Sequence, residues 1–389
     1  MRKRAAPEGT CRDVPPLTAQ LVRSMQILPC TREHLPGVVA LFAEGAPDAA
    51  DDPDALARYL EEVYLDHPGH DPELPSLICA DGGRIDGFLG VVTRPMMLRG
   101  GQPLRAAASS NFRVRGGPGA RNPLIAMRLL KRFFEGPQDL SVANGANSLS
   151  KKIWEGCGGV SVPLSSLDWF RLIRPARGLL ELVARERGRP WPRSLRRLAD
   201  LADQAAGGRL ARRVIREDRA APPVLSALDP QVAAERLARA PGFDLAPRYD
   251  AASFRWLLDM CRRKAIGGRL RAMAVSEPQG RDLGWFVYYE KREAVGEVVQ
   301  MMAAEGRLEA VLRAAIADAA AQGLALLRGD VDASDLQAYR DALCLLNTGR
   351  WMLVHSRRQA IVDSFMRGAA LFSGLDGERW IRELGRAPI

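Results

Sequence analysis

Lysine is nearly missing from this chain of 389 residues, with 6 against 50 arginines. The formal net charge is +10. A positive balance carried almost wholly by arginine, in a chain rich in alanine and glycine, reads as the codon usage of a GC-rich genome. No Lys/Arg tail, nucleic-acid module or interleaved aromatics accompany it, which argues against nucleic acid as a partner. Also lacking is any run of about 18 apolar residues, so no membrane-spanning helix is expected. No apolar stretch follows the basic start MRKRAAPEGTCRDVPPL. A secretory signal is therefore not expected, and a cytoplasmic protein is. There are only four histidines (His34, His67, His70, His355) and six cysteines (Cys11, Cys30, Cys79, Cys157, Cys261, Cys344), without a CxxC pair or a neighbouring histidine. Reduced thiols, no disulfide framework and no metal are the expectation.

What is present is an ordinary globular composition, 47% hydrophobic and 26% charged, in a chain too long for one core. Residues 1–22 read as a disordered leader. From QILPC onward a strand, a helix opened by Thr31, a second helix ALARYLEEVYLD, and strands punctuated by two Gly-Gly pairs follow. A helix to about Phe134, a strand DLSVAN, a helix SLSKKIWEGC and a strand VSVPLSSLDWFRLI complete a unit over residues 23–174. Residues 175–248, rich in Arg, Ala and Pro, read as a helical arm. Residues 249–389 repeat the latter half of the first unit. The expected fold class is therefore α+β, two mixed β-sheet domains with flanking helices joined by a helical arm. Within the second unit, WFVYYE alternates in a strand, so Trp285, Val287 and Tyr289 share one face and Phe286, Tyr288 and Glu290 the other. One set would be core, and the other would line an acceptor pocket with Tyr288 or Tyr289 as hydroxyl donor.

The stretch GPGARNPLIAMRLLKRFF carries the sharpest chemical signal. A strand ending at Phe112, Arg113 and Val114 runs into a Gly/Pro turn and then a helix with Ile125, Leu129, Leu130 and Phe133 on one face. First-turn amides lack partners inside the helix and the dipole adds partial positive charge, so a diphosphate can be held there, with Arg121 as a charged contact. An ordinary tight connection before a core helix reads the same way.

These residues resemble the GNAT superfamily of acyl-CoA-dependent acyltransferases, whose pyrophosphate loop follows V-x-P-x-x-R-G-x-G-I-G-x-x-L-L. Val114 and, after a longer turn, Pro118, Arg121, Ile125, Ala126, Leu129 and Leu130 fall in step with it. A later family pattern is met by Asn147, Ser150, Trp154 and Gly158. The chain departs at Asn122 and Leu124, where the family has glycines, and at Trp154, where many members carry a tyrosine that protonates the leaving thiolate. The resemblance implies two GNAT-like units, with acetyl-CoA or another acyl-CoA as donor substrate and a small-molecule amine as acceptor. It also implies a donor site built from Phe112, Arg113, Val114, Arg121, Asn122, Leu124, Ile125, Ala126 and Asn147. Candidate bases are Glu297, His355 and Glu378, with Asp376 nearby. Against these stand plainer readings: Glu297 as an outward strand residue, His355 as a strand residue facing a polar neighbour, Asp376 as a turn acid and Glu378 as a salt-bridged rim group. A GNAT-shaped binding protein without catalysis is the alternative from another class.

Overall fold

Gly82 and Gly83 take φ of +56° and +87°, the left-handed pair that a two-residue hairpin turn needs, so the chain doubles back between β2 (Leu77–Asp81) and β3 (Arg84–Leu98). Before this hairpin come β1 (Gln26–Pro29), α1 (Leu35–Ala43) and α2 (Pro53–Tyr64). Helix α2 starts where Asp52 accepts from the Ala55 amide at 2.8 Å and Pro53 occupies the first position. The computed structural model describes residues 25–44, 52–116, 123–205, 222–239, 242–263, 268–291 and 293–382. The expected leader 1–22 lies outside them, as do Pro118, Arg121 and Asn122.

A second Gly-Gly turn joins β3 to β4 (Pro103–Val114). A crossover through α3 (Pro123–Phe134) brings β5 (Leu140–Ala146) parallel to β4, and α4 (Ser148–Gly156) and β6 (Val160–Ser161) follow. The next strand, β7 (Leu167–Leu172), leaves this sheet altogether. Helices α5 (Pro175–Glu186) and α6 (Arg193–Ala205) form a hairpin in which Asp203 accepts from the Ala176 and Arg177 amides at 2.8 and 2.9 Å. After them come β8 (Val224–Ala227), α7 (Pro230–Arg239), β9 (Leu245–Pro247), α8 (Ala251–Arg263), β10 (Arg269–Ser276), β11 (Asp282–Lys291), β12 (Val295–Ala303), α9 (Leu308–Ala321), β13 (Leu326–Asp330), α10 (Leu336–Asp341), β14 (Leu345–Thr348), β15 (Trp351–His355) and α11 (Gln359–Met366).

Among the described residues these strands make two mixed sheets. The first has the order β1-β2-β3-β4-β5-β15-β6, with β9 added beside the far end of β3; the second has the order β14-β7-β13-β12-β11-β10-β8. Each sheet thus holds at least one strand from the other half of the chain, β15 and the short β9 in the first and β7 in the second. Strand β15 lies antiparallel between β5 and β6, and β7 lies antiparallel between β13 and β14. Ser166 sits at the crossing, 3% exposed. It donates to the Val162 carbonyl at 2.6 Å and accepts from the Met352 amide at 2.9 Å.

The structure differs from the sequence reading in three places. Leu167–Leu172 was expected to close the first sheet and the C-terminal strands the second, whereas they are exchanged. Of the segment 175–248, expected to be a helical arm throughout, the described residues up to Ala205 form the α5–α6 hairpin and those from residue 222 join the sheets and the core. Val224–Ala227 is an edge strand paired with β10 and α7 packs in the core, so the second layered unit is already under way before residue 249. The stretch LQAYRDALCLLNTG, in the place where a repeat of the first unit would put one helix, is helical only to Asp341, because Leu343 turns to φ +57° and Leu345–Thr348 pairs with β7.

Three layers of apolar contact follow from the strand alternation. Helices α3 and α4 cover the outer face of the first sheet through Ile125, Leu129, Phe133 and Trp154. Helix α9 covers the outer face of the second through Val311, Leu312 and Ala315 against Phe286 and Tyr288. Between the sheets lies one shared core, with Phe88 and Val92 of β3 facing Trp285, Val287 and Tyr289 of β11, and α1, α2, α7 and α8 packed around them. Both faces of β11 are therefore core, and the expected acceptor pocket along it is not there. The Tyr288 hydroxyl donates to Asp318 at 2.6 Å and the Tyr289 hydroxyl to the Cys261 carbonyl at 3.2 Å. No helix of the described residues is long and apolar enough to cross a membrane.

Candidate functional site

Strands β4 and β5 pair only over Ala106–Ala108 and Leu140–Val142. Beyond that point they part. Ser109 still reaches the Val142 carbonyl with its hydroxyl at 3.4 Å, but no described strand accompanies β4 further on that side. On the other side, the register against β3 jumps from Gly90↔Ser110 to Phe88↔Arg113, so β4 carries one extra residue. Asn111 absorbs it with φ +46°, an uncommon conformation for a residue with a side chain. A bulged strand beside a parting neighbour leaves backbone donors and acceptors along the wedge without strand partners.

The side chains around this wedge come from distant parts of the chain. The Tyr64 hydroxyl, at the end of α2, stands 3.0 Å from Ser110 Oγ and accepts from Asn111 Nδ2 at 3.0 Å. Burial pushes its pKa well up, so it stays a protonated donor. Across the wedge, Gly145 has φ +114°, and a Cβ there would lie 2.9 Å from Glu378 Oε1 and 3.7 Å from Arg350 Cδ. Only a residue without a side chain lets Glu378 approach β5 so closely. Asn144 lies beside Gly377 at the same point, and its side-chain amide nitrogen has no hydrogen-bond partner among the described residues.

Of the three candidate bases, the structure brings only Glu378 to this wedge, and it reaches the first sheet rather than the second. His355 is at the wrong end. Strand β15 runs antiparallel to β5, so Trp351 lies opposite Ala146 beside the wedge and His355 opposite Ser141. His355 stacks on Phe134, the last residue of α3, with centroids 3.9 Å apart and rings 5° from parallel. A twelve-residue helix, about 18 Å long, separates it from the α3 N-terminus. Burial and then Arg357 lower its pKa, keeping it neutral. Glu297 belongs to the second sheet and is bound by cations: Arg379 at 2.7 Å, Arg328 at 3.1 Å, and Lys291. Such a carboxylate is part of an ion-pair cluster, not a free base. Asp376 is fully buried and takes up the Tyr249 hydroxyl, the Ser373 amide and the Ser373 hydroxyl, each at 2.6 Å.

Of the residues expected to hold a donor, Phe112 and Val114 pack on the outer core of the first sheet. The Arg113 guanidinium lies over the Phe42 ring at 5.8 Å. Arg115 fixes the strand end, donating to Asp86 Oδ1 at 2.7 Å and to the Ile85 carbonyl at 2.8 Å. At the start of α3, Leu124 is 40% exposed, while Ile125 and Ala126 are buried beneath it. Leu124 is thus exposed at the helix start. The Asn147 side chain caps α4, accepting from the Ser150 amide at 2.8 Å. Trp154 is 3% exposed, and its indole N–H is spent on the Val354 carbonyl at 3.1 Å.

The second sheet has a wedge of the same kind, between β12 and β13, which pair only over Val295–Glu297 and Leu326–Arg328. Here too the central strand bulges, with Val299 as the extra residue. Its space is taken. The Leu375 amide donates to the Val299 carbonyl at 3.0 Å, Gln300 Nε2 donates to Ser373 Oγ at 3.2 Å, and Arg379 spans Glu297 and Asp330. The turn before α9 offers Glu305 and Gly306 and no side-chain cap, a poor surface for a polyanion.

Tyr64, Asn111, Gly145 and Arg350 were not singled out from sequence. Only the polar run SSN closing an otherwise apolar strand marked the bulge, and nothing local in the sequence ties Tyr64 or Arg350 to it. Among the described residues no group of three or more His, Cys, Asp or Glu side chains is placed to hold a metal ion.

No family model matches the chain, and no curated protein matches it. Solved structures do. A GCN5-related N-acetyltransferase from Anabaena variabilis superposes with a TM-score of 0.51 at 11% identity, covering 85% of this chain and 72% of that one. A conserved protein from Enterococcus faecalis, described as a probable N-acyltransferase, superposes with a TM-score of 0.52 at 10% identity, with the same two coverages. The chain has the GNAT fold of these proteins, an α+β architecture of two mixed sheets.

Proposed function

We propose that this protein is an acyl-CoA-dependent N-acyltransferase, with two GNAT units in one chain and the donor held by the first sheet. The donor's diphosphate sits at the α3 N-terminus and its pantetheine arm along the parted edge of β4. The acceptor amine attacks the thioester carbonyl. A C–N bond forms, the C–S bond breaks, and the thiolate takes up the proton that the amine nitrogen gives up through Glu378. Backbone N–H groups at the Asn111 bulge stabilise the oxyanion, and Glu378 removes the proton from the ammonium that forms. The acceptor is a small-molecule amine and the donor is acetyl-CoA or another acyl-CoA.

One observation supports the choice of the first sheet. No described strand runs along the parted edge of β4, where Asn111 Nδ2 donates to the Arg382 carbonyl at 3.2 Å, and Leu124 is exposed at the helix start, while in the second wedge Leu375 and Ser373 bond to Val299 and Gln300. The test is Leu124→Glu. An exposed acid at a helix start is harmless to folding, but it sets a negative charge against the diphosphate. CoA affinity in calorimetry is expected to fall at least about tenfold, or about 1.4 kcal/mol. An unchanged Kd would reject this donor site.

Trp154 favours a second reading, a GNAT-shaped binding protein without turnover, since its indole N–H is committed to Val354 and supplies no proton to a thiolate. Acetyl-CoA binding without free-thiol release across a panel of amines would select that reading.

A further inference from the structure

A second feature is a cavity of about 650 Å³ beside the middle of β3. Its walls are the loop after α2, the middle of β3, and the facing sides of α7 and α8, with His67, Arg94, Tyr249 and Trp256 inside and Glu235 and Asp250 also lining it. Arg94 pairs with Ala106, four residues along β3 from Gly90, so the cavity lies about 13 Å along the strand from the Asn111 bulge. It is large enough for a small metabolite.

Two side chains lining it, His67 and Arg94, each keep one N–H without a hydrogen-bond partner among the described residues, the Arg94 guanidinium also lying over the Trp380 ring at 5.2 Å. His67 is 3% exposed, and its Nδ1 accepts from the Gly69 amide at 3.1 Å, which puts the ring hydrogen on Nε2. That Nε2 has no hydrogen-bond partner among the described residues. Arg94 is 4% exposed. Its Nε donates to the Asp376 carbonyl at 3.1 Å and its Nη1 to the Thr93 carbonyl at 3.2 Å, while Nη2 has no partner among the described residues. Buried N–H groups are almost always paired, so two in one cavity mark an acceptor that is to come from elsewhere. Burial, then Arg94 and His70, holds the His67 pKa down to about 3, so the ring offers a neutral N–H rather than a second cation.

We propose that this cavity binds a small carboxylate whose oxygens accept from Arg94 Nη2 and His67 Nε2 and whose apolar body lies against Trp256. Two donors from two side chains suit the two oxygens of one carboxylate. A phosphate dianion is disfavoured, because Arg94 and Arg248 are already matched in number by Glu235 and Asp250 around the same cavity. The indole of Trp256, 6.3 Å from the His67 ring, supplies the flat surface. The proposal is independent of the acyl-transfer reading.

The test uses the full chain and three probes in calorimetry: N-acetyl-phenylalanine, its neutral amide, and inorganic phosphate. The carboxylate is expected to bind at least about tenfold more tightly than either of the others, and His67→Phe is expected to weaken it by about tenfold with CoA affinity unchanged. Carboxylate binding no better than amide or phosphate, no binding up to about 10 mM, or wild-type affinity in His67→Phe would overturn the proposal. Should the variant not fold, ¹⁵N spectra of the wild-type imidazoles decide. With four histidines in the chain the His67 signals are separable, and a shift of Nε2 with the carboxylate but not the amide is expected. No shift overturns it.

Discussion

Acid should loosen this fold through His67 in particular. Its ring is 3% exposed, and burial, Arg94 and His70 bring its pKa down to about 3 from the ordinary 6.5. The unfolded ring takes up a proton near pH 6.5 and the folded ring does not, so the unfolded state binds more protons as pH falls. The stabilisation is therefore complete above pH 6.5 and is lost progressively toward pH 3. At pH 5 the unfolded ring is protonated by about 1.5 log units, which at 1.36 kcal/mol per unit removes about 2 kcal/mol relative to pH 7.5. Against a usual total of about 5–15 kcal/mol this is measurable. Urea unfolding at a series of pH values, for the wild type and His67→Phe, gives the difference. The variant should be less stable at pH 7.5 and lose about 2 kcal/mol less on acidification. Buried Asp376, whose pKa burial raises, and His355, whose pKa burial lowers, are common to both proteins and cancel. Parallel pH curves for the two proteins would refute the reasoning.

Two further substitutions probe the wedge and the strand crossing. Glu378→Gln should lower turnover of an accepted amine by about 10²-fold or more with CoA affinity retained, measured by thiol release; undiminished turnover would remove Glu378 as the base. Ser166→Ala should cost about 1–3 kcal/mol in urea unfolding, because the buried Met352 amide and Val162 carbonyl both lose their hydroxyl partner; a cost near zero would show that the crossing does not depend on it.

The sequence was most legible where the signal is local. The Gly-Gly turns, the amphipathic α2 and α3, and the alternation of β11 all formed where periodicity placed them, because turn geometry and face burial act over a few residues. Strand exchange was not legible, since VSVPLSSLDWFRLI mixes apolar and polar residues with no local mark of which sheet each part joins, and reads equally well as one strand or as two in different sheets. Val224–Ala227 went unread because a short edge strand beside Ala-rich helices carries little hydrophobic contrast. At the wedge, Glu378 comes from a segment more than 200 residues beyond both Gly145 and the Asn111 bulge, and only the folded chain joins them. Glu297 illustrates the converse limit, for a strand glutamate looks the same in sequence whether it faces solvent or three cations.

The traded strands leave neither sheet self-sufficient. Until Trp351–His355 arrives, β5 and β6 have no neighbour between them, although every other strand of that sheet except β9 is made at least 190 residues earlier. The early half of the polypeptide must wait on the ribosome with a slot in its sheet, exposed to any extended segment that fits it. A cut near residue 174 would separate two parts, each lacking a strand that the other carries, so an early and a late segment of the chain depend on each other for a closed sheet.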